Sequence, residues 1–183
     1  MRLAYADPPY PGQAKRHYSS HPDYGGEVDH VELLERLSGY DGWALHTSSP
    51  ALEDVYAWAR EAGADGYRTM AWVKPFCAFK SNVPVAYSWE PVLVKTARKP
   101  VVSGRIVMRD HVSECITMRK GLVGAKPPAV CRWVFEVMGS EPGDTLDDLY
   151  PGTGIVMKTW NEWVQAQDKD PLAGLPLAGL GGG

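Results

Sequence analysis

The chain has 183 residues, of which 44% are hydrophobic, and a formal charge of −3 at pH 7. That is enough apolar material for one core in one domain, and no window approaches the run of ~20 apolar residues that a bilayer-spanning helix needs. There is no basic-then-apolar leader, and Cys77, Cys115 and Cys131 form no Cys-x-x-Cys pair, so the composition points to a soluble cytoplasmic protein with neither a disulfide framework nor a zinc ribbon.

The first strand begins at Arg2 and runs through Ala6 into Asp7-Pro8-Pro9-Tyr10, where two prolines end any ladder and leave Asp7 at a strand's carboxyl end. Residues 11–26, rich in Gly, Pro, Ser, His and Tyr, show no periodicity and read as a long surface loop of the kind that covers a site. Val31, Leu33, Leu34 and Leu37 recur at helical spacing, which predicts a helix over 28–37. A short apolar strand follows at 42–47. Ser49-Pro50 then caps and starts a helix through Leu52, Val55, Tyr56 and Ala59, closed by Gly63. Strand, helix, strand, helix with short joints is the pattern of a parallel sheet with crossover helices.

Residues 67–73 and 86–94 read as an antiparallel pair of strands at the sheet edge. Further on, Pro127-Pro128 starts a helix to Met138 with Val130, Val134, Phe135 and Met138 inward. A turn at Pro142-Gly143-Asp144 leads to a strand at 145–150, a glycine turn at 151–154 and a closing helix at 155–167. The expected organisation is one domain over 1–167 and a flexible tail at 168–183.

Charge is distributed unevenly. Between 95 and 125, Lys95, Arg98, Lys99, Arg105, Arg109, Arg119 and Lys120 stand against only Asp110 and Glu114. A solvated hairpin accounts for such a run as well as a strip that neutralises phosphates does; the second reading makes it a target-recognition insertion for nucleic acid. His17 and His21 sit four apart without a third ligand and read as loop histidines, so no metal is expected.

Two patches carry a family resemblance. One is Asp7-Pro8-Pro9-Tyr10; the other is Lys126-Pro127, a helix, Pro142-Gly143-Asp144, then Leu146-Asp147-Asp148-Leu149-Tyr150-Pro151-Gly152-Thr153-Gly154. Together they resemble the S-adenosylmethionine-dependent DNA amino-methyltransferases. The catalytic tetrapeptide precedes the glycine turn, as in the permuted beta class and in the related MT-A70-like adenine methyltransferases. The resemblance spans roughly residues 1 to 165, with Trp72-Val73-Lys74-Pro75 and Trp89-Glu90-Pro91 falling where this group has its edge hairpin. It implies an α/β, Rossmann-like methyltransferase sheet, permuted and shortened to about five strands, mostly parallel with an antiparallel edge hairpin and helices on both faces.

The resemblance also implies a chemistry. An aromatic amine is a poor nucleophile because its lone pair is delocalised into the ring. If the Asp7 carboxylate and the Pro8 carbonyl each accept an amine hydrogen, the lone pair is aimed at the sulfonium methyl. Pro8 and Pro9 stiffen that geometry, and Tyr10 stacks on the extruded base. Neither Phe76-Cys77 nor Val130-Cys131 is the Pro-Cys pair of cytosine C5 enzymes, so no covalent intermediate is expected. At the cofactor end, Tyr150, Pro151, Gly152, Thr153 and Gly154 form the turn whose amides suit the methionine carboxylate, with Lys126 as its ionic partner and Asp148 toward the cofactor amino group or an ordered water. Lys74 and Glu90 read as ion-paired support.

The expected substrate is N6 of adenine in DNA, because the first motif residue is Asp. N4 of cytosine, RNA adenine and a catalytically silent DNA-binding subunit are the alternatives. One departure stands out. The family follows its glycine turn and helix with a further strand whose acidic residue holds the cofactor ribose, and residues 168–183 have no β-branched run to build one. Asn161 and Glu162 are the nearest polar candidates, and a homodimer or a partner subunit that completes the ribose site is an expectation of the same gap.

Overall fold

The computed structural model describes residues 1–11, 27–76, 84–98, 108–116 and 125–169. Leu3, Ala4, Tyr5 and Ala6 are all fully buried, so the first strand must be covered on both faces and paired on both edges. Accordingly β1 (Arg2–Ala6) lies between β2 (Gly42–His46) and β6 (Thr145–Asp148), parallel to each, with Tyr5 opposite Ala44 on one side and Asp148 on the other. The other strands are β3 (Tyr67–Val73), β4 (Trp89–Lys95) and β5 (His111–Ser113), and the sheet order is β5-β3-β4-β2-β1-β6.

This is the α/β sheet that the sequence predicts, with two differences. Among the described residues it has six strands where about five were expected, and the antiparallel strand is not at the edge. β4 is antiparallel to both β2 and β3, and β5 adds in parallel beyond β3. Five strands thus run one way and β4 alone runs against them. The reason is in β4 itself: Glu90, Pro91, Val92, Leu93 and Val94 are all buried, which only an interior strand provides.

Helices α1 (His30–Ser38) and α2 (Leu52–Glu61) cover one face, and α3 (Pro128–Val137) and α4 (Ile155–Lys169) the other. Asp29 caps α1 by accepting from the Val31 and Glu32 amides, and a short 3-10 turn, Ser49–Ala51, with Pro50 in its first turn leads into α2. Alternation decides the partners. Leu3 and Tyr5 pack with Phe135, Trp160 and Trp163, whereas Ala4 and Ala6 pack with Leu34, Leu37 and Val55. Among the described residues, no helix is long and apolar enough to cross a membrane.

Candidate functional site

Because five strands are parallel, their carboxyl ends share one edge of the sheet, and β4 enters the sheet from that same edge. Asp7 follows β1, His46 ends β2, Lys74 follows β3, Glu90 is the second residue of β4, and Asp148 ends β6. Ligands of open α/β sheets bind at this kind of edge. Lys126, from the segment before α3, is folded into the same place and is 6% exposed.

There the Lys126 ammonium meets three oxygens. Its Nζ lies 3.0 Å from Asp7 Oδ1 and 2.9 Å from Glu90 Oε1, and it donates to the Tyr10 hydroxyl at 3.2 Å. Glu90 is in turn surrounded: His46 Nδ1 is 2.9 Å from Oε1, and Lys74 Nζ donates to Oε2 at 3.0 Å. The other imidazole nitrogen, His46 Nε2, is 2.7 Å from the Tyr5 hydroxyl. Tyr5 and His46 are fully buried. A carboxylate only accepts, so the His46 Nδ1 is the donor in its bond to Glu90.

These neighbours set the charges. Burial opposes ionisation of Glu90, but the Lys126 ammonium, His46 and Lys74 together hold its carboxyl well below the usual range. Burial likewise opposes the charge on Lys126, and Asp7, Tyr10 and Glu90 more than offset it, keeping the ammonium protonated. Burial lifts the Tyr10 phenol well above its ordinary value against the opposing pull of Lys126, and the nearby Glu90 and Asp7 charges add to the rise. Asp7, His46 and Glu90 each bring a ligand atom within 4.8 Å of the others, a spacing able to hold a metal ion. The cation between Asp7 and Glu90 is Lys126's own.

The glycine turn lies alongside. The register that sets Tyr5 opposite Asp148 continues through Leu149 N–H donating to the Tyr5 carbonyl at 2.9 Å, which brings the chain after β6 level with the Asp7 tetrapeptide. Gly152 and Gly154 have φ of 45° and 71°, left-handed values that glycine adopts without cost, and α4 begins immediately after them. Asp148 Oδ1 accepts from the Tyr150 amide at 3.3 Å, and its Oδ2 is buried with no partner among the described residues. Burial raises the Asp148 carboxyl, and the nearby Asp7 charge adds to that. An unpaired buried carboxylate oxygen beside a turn exposed at Gly152 and Thr153, whose Gly154 amide is taken by the Pro151 carbonyl at 2.6 Å, fits an amino-acid ligand with its ammonium toward Asp148 and its carboxylate toward the exposed part of the turn.

The structure therefore brings Asp7, Pro8, Pro9, Tyr10, Lys126, Asp148, Tyr150, Pro151, Gly152, Thr153 and Gly154 to one edge. It does not bring Lys95 or Arg98 there. Lys95 is opposite Trp43 and Tyr67, at the amino ends of β2 and β3, and Arg98 is held by Asp144 in two 2.7 Å bonds just before β6. Arg109 is exposed just before β5. Asn161 is exposed on α4, six residues and so ~9 Å along the axis from its first residue. Lys99, Arg105, Arg119, Lys120, His17, His21, Cys77 and most of the expected lid and tail lie outside the described residues.

Sequence reasoning passed over His46 and Tyr5. The available signal was one titratable side chain within each of two short, otherwise apolar strands, Leu3-Ala4-Tyr5-Ala6 and Trp43-Ala44-Leu45-His46.

Solved structures share the fold. M1.HpyAVI in its SAM complex aligns with a TM-score of 0.55 at 16% identity, over 92% of this chain and 88% of that one. TTHA0409 of Thermus thermophilus, assigned to the DNA modification methylases, aligns with a TM-score of 0.52 at 16% identity over 88% and 76%. Its complex with S-adenosyl-L-methionine aligns at 0.51 and 18% identity over 88% and 77%. No family model and no curated protein matches the sequence.

Proposed function

We propose that this protein is an S-adenosylmethionine-dependent methyltransferase acting on the exocyclic amine of an extruded base, N6 of adenine in DNA. The observation that carries the reading is the adjacency of two corners: the Asp7 tetrapeptide leaves β1 beside the glycine turn that leaves β6, with the unpaired Asp148 oxygen alongside. The shared fold with M1.HpyAVI bound to SAM and with TTHA0409 bound to S-adenosyl-L-methionine supports it.

In this reading the Gly152–Gly154 turn and Asp148 hold the methionine end of the cofactor, which supplies a methyl group on a positively charged sulfur. The Asp7 carboxylate and the Pro8 carbonyl accept the two amine hydrogens and turn the lone pair out of the ring plane. Tyr10 offers a flat face to the base in place of its lost neighbours in the stack. The three oxygens around the Lys126 ammonium leave it no spare hydrogen for a cofactor carboxylate, so Lys126 acts on Asp7 and Tyr10, and the exposed Gly152 and Thr153 amides take the carboxylate.

DNA is the substrate class proposed, with Arg109 and the basic residues from 99 to 120 contacting phosphates. Lys95 and Arg98, at the far edge, take no part in the transfer site. Calorimetry with S-adenosylmethionine, followed by incubation with labelled cofactor and separate DNA and RNA and identification of the methylated nucleoside, tests the reading. N6-methyladenine from DNA is the expected product. Failure to bind the cofactor both with and without DNA would overturn the proposal, and N4-methylcytosine would move the base assignment alone.

A further inference from the structure

Residues 7–10 belong to no helix or strand, and Pro8 and Pro9 have no N–H with which to tie the segment down. Its two ends are fixed by side chains instead. The Asp7 carboxylate meets Lys126 at 3.0 Å, and the Tyr10 hydroxyl accepts from the same ammonium at 3.2 Å. Lys126 is itself fixed by Glu90 at 2.9 Å and lies 5.5 Å from the Trp72 ring centroid and 5.6 Å from that of Tyr10. Glu90 is held by His46, which Tyr5 holds, and by Lys74.

We propose that Glu90 is a positioning residue for the methyl transfer proposed above: through Lys126 it clamps both ends of the Asp7–Tyr10 segment, so that the amine acceptors and the stacking ring stay in one reactive arrangement. The inference rests on that functional reading for its chemistry and on the geometry alone for the clamp. Energetics favour a geometric role. Glu90 and Lys126 are 5% and 6% exposed, and a buried ion pair contributes little net stability against an apolar replacement of equal shape. What it contributes is direction: one ammonium aims three hydrogens at three oxygens, two of them on the tetrapeptide. His46 Nδ1 and Lys74 occupy the remaining faces of the Glu90 carboxylate, which leaves it no second orientation.

The test uses the full chain with Glu90→Gln and Glu90→Ala, and a shape-preserving double variant, Glu90→Gln with Lys126→Met, which removes the buried pair as a unit and leaves Asp7 and Lys74 without those ion partners. Three quantities are read: kcat for DNA methylation, the dissociation constant for S-adenosylmethionine by calorimetry, and hydrogen exchange of the Tyr10 amide against those of β1. The expected result is a kcat loss on the order of 10²-fold for the alanine variant and ~10-fold for the glutamine variant, because small misplacements cost that much. Cofactor affinity should change by less than about threefold, and Tyr10 exchange should speed by ~10-fold or more while the Leu3–Ala6 amides stay protected. The double variant should fold and remain slow.

Unchanged kcat in the folded variants would overturn the proposal, as would unchanged Tyr10 exchange, or a kcat loss matched by an equal loss of cofactor affinity. If the wild-type protein neither binds the cofactor nor methylates DNA, the functional reading fails instead, and the exchange measurement still decides the clamp.

Discussion

At the scale of single residues, Asp7 carries the sharpest expectation. Asp7→Ala removes the proposed amine acceptor and one of three partners of Lys126, while Glu90 remains beside the ammonium. Methyl transfer should fall to background, with cofactor binding retained and a stability loss of about 1–2 kcal/mol, read by labelled-nucleoside analysis and thermal melting. A mutant that still methylates would remove Asp7 from the mechanism. The cysteines offer a second check. Cys131 is buried and its thiol is pushed up to about 11, chiefly by burial, whereas Cys115 is exposed. Iodoacetamide at pH 8 should modify Cys115 in the native protein and reach Cys131 only after unfolding, as mass spectrometry of peptides will show. Much of the site was legible at this scale. Asp7, Tyr10, Asp148 and both glycines could be named because they form short contiguous motifs. The partner of Lys126 could not, because a long side chain ahead of Pro127 and Pro128 reaches either the tetrapeptide or a bound carboxylate, and sequence spacing contains no distance.

At the scale of elements, the turn between β6 and α4 and the corner before β6 each make a prediction. Gly154 has a left-handed φ of 71° with nothing within 4 Å of an added Cβ, so Gly154→Ala pays for conformation rather than for a clash. It should lower stability by about 1 kcal/mol and, under the proposed function, weaken S-adenosylmethionine by ~10-fold in calorimetry, since the adjoining Gly152–Thr153 backbone shifts with it. Asp144 is ordinarily a group of pKa 3.8; burial would raise it, but the Arg98 guanidinium, the Met1 amino group and the Glu141 amide hold it well below that range. A depressed carboxylate contributes stability above its unfolded pKa and loses it as pH falls below. Asp144→Asn should therefore cost about 2–3 kcal/mol at pH 7 and progressively less below pH 4, measured by denaturant melts at both. Most elements were readable from hydrophobic periodicity, including the four helices of the described residues to within a few residues at each end. The interior place of β4 was signalled by its unbroken Pro91-Val92-Leu93-Val94 run but was outweighed by the hairpin pattern with β3. β5 gave no signal, since three residues, His111, Val112 and Ser113, are too short for a period to show.

At the scale of the whole molecule, the sheet is joined by strands from opposite ends of the sequence. β1 has β2 on one side and β6 on the other, and the core beneath it is completed by Phe135 of α3 and by Trp160 and Trp163 of α4. A fragment ending at residue 143 leaves Leu3, Tyr5 and Phe135 uncovered on that side, and it should show no cooperative melt where the full chain does. The parallel topology was legible from alternating strands and helices, and so was the meeting of the two motifs, because both sit at carboxyl ends of strands. Which strands neighbour one another was not, since pairing at long sequence separation leaves no local trace. That separation also governs when the two corners can meet. Residues 2–5 pair with residues 145–148, so Asp7 is synthesised well before the turn after β6 that lies beside it. Until β6 is made, the Asp7 tetrapeptide has no glycine turn beside it, and the two corners meet in one step, when β6 closes against β1.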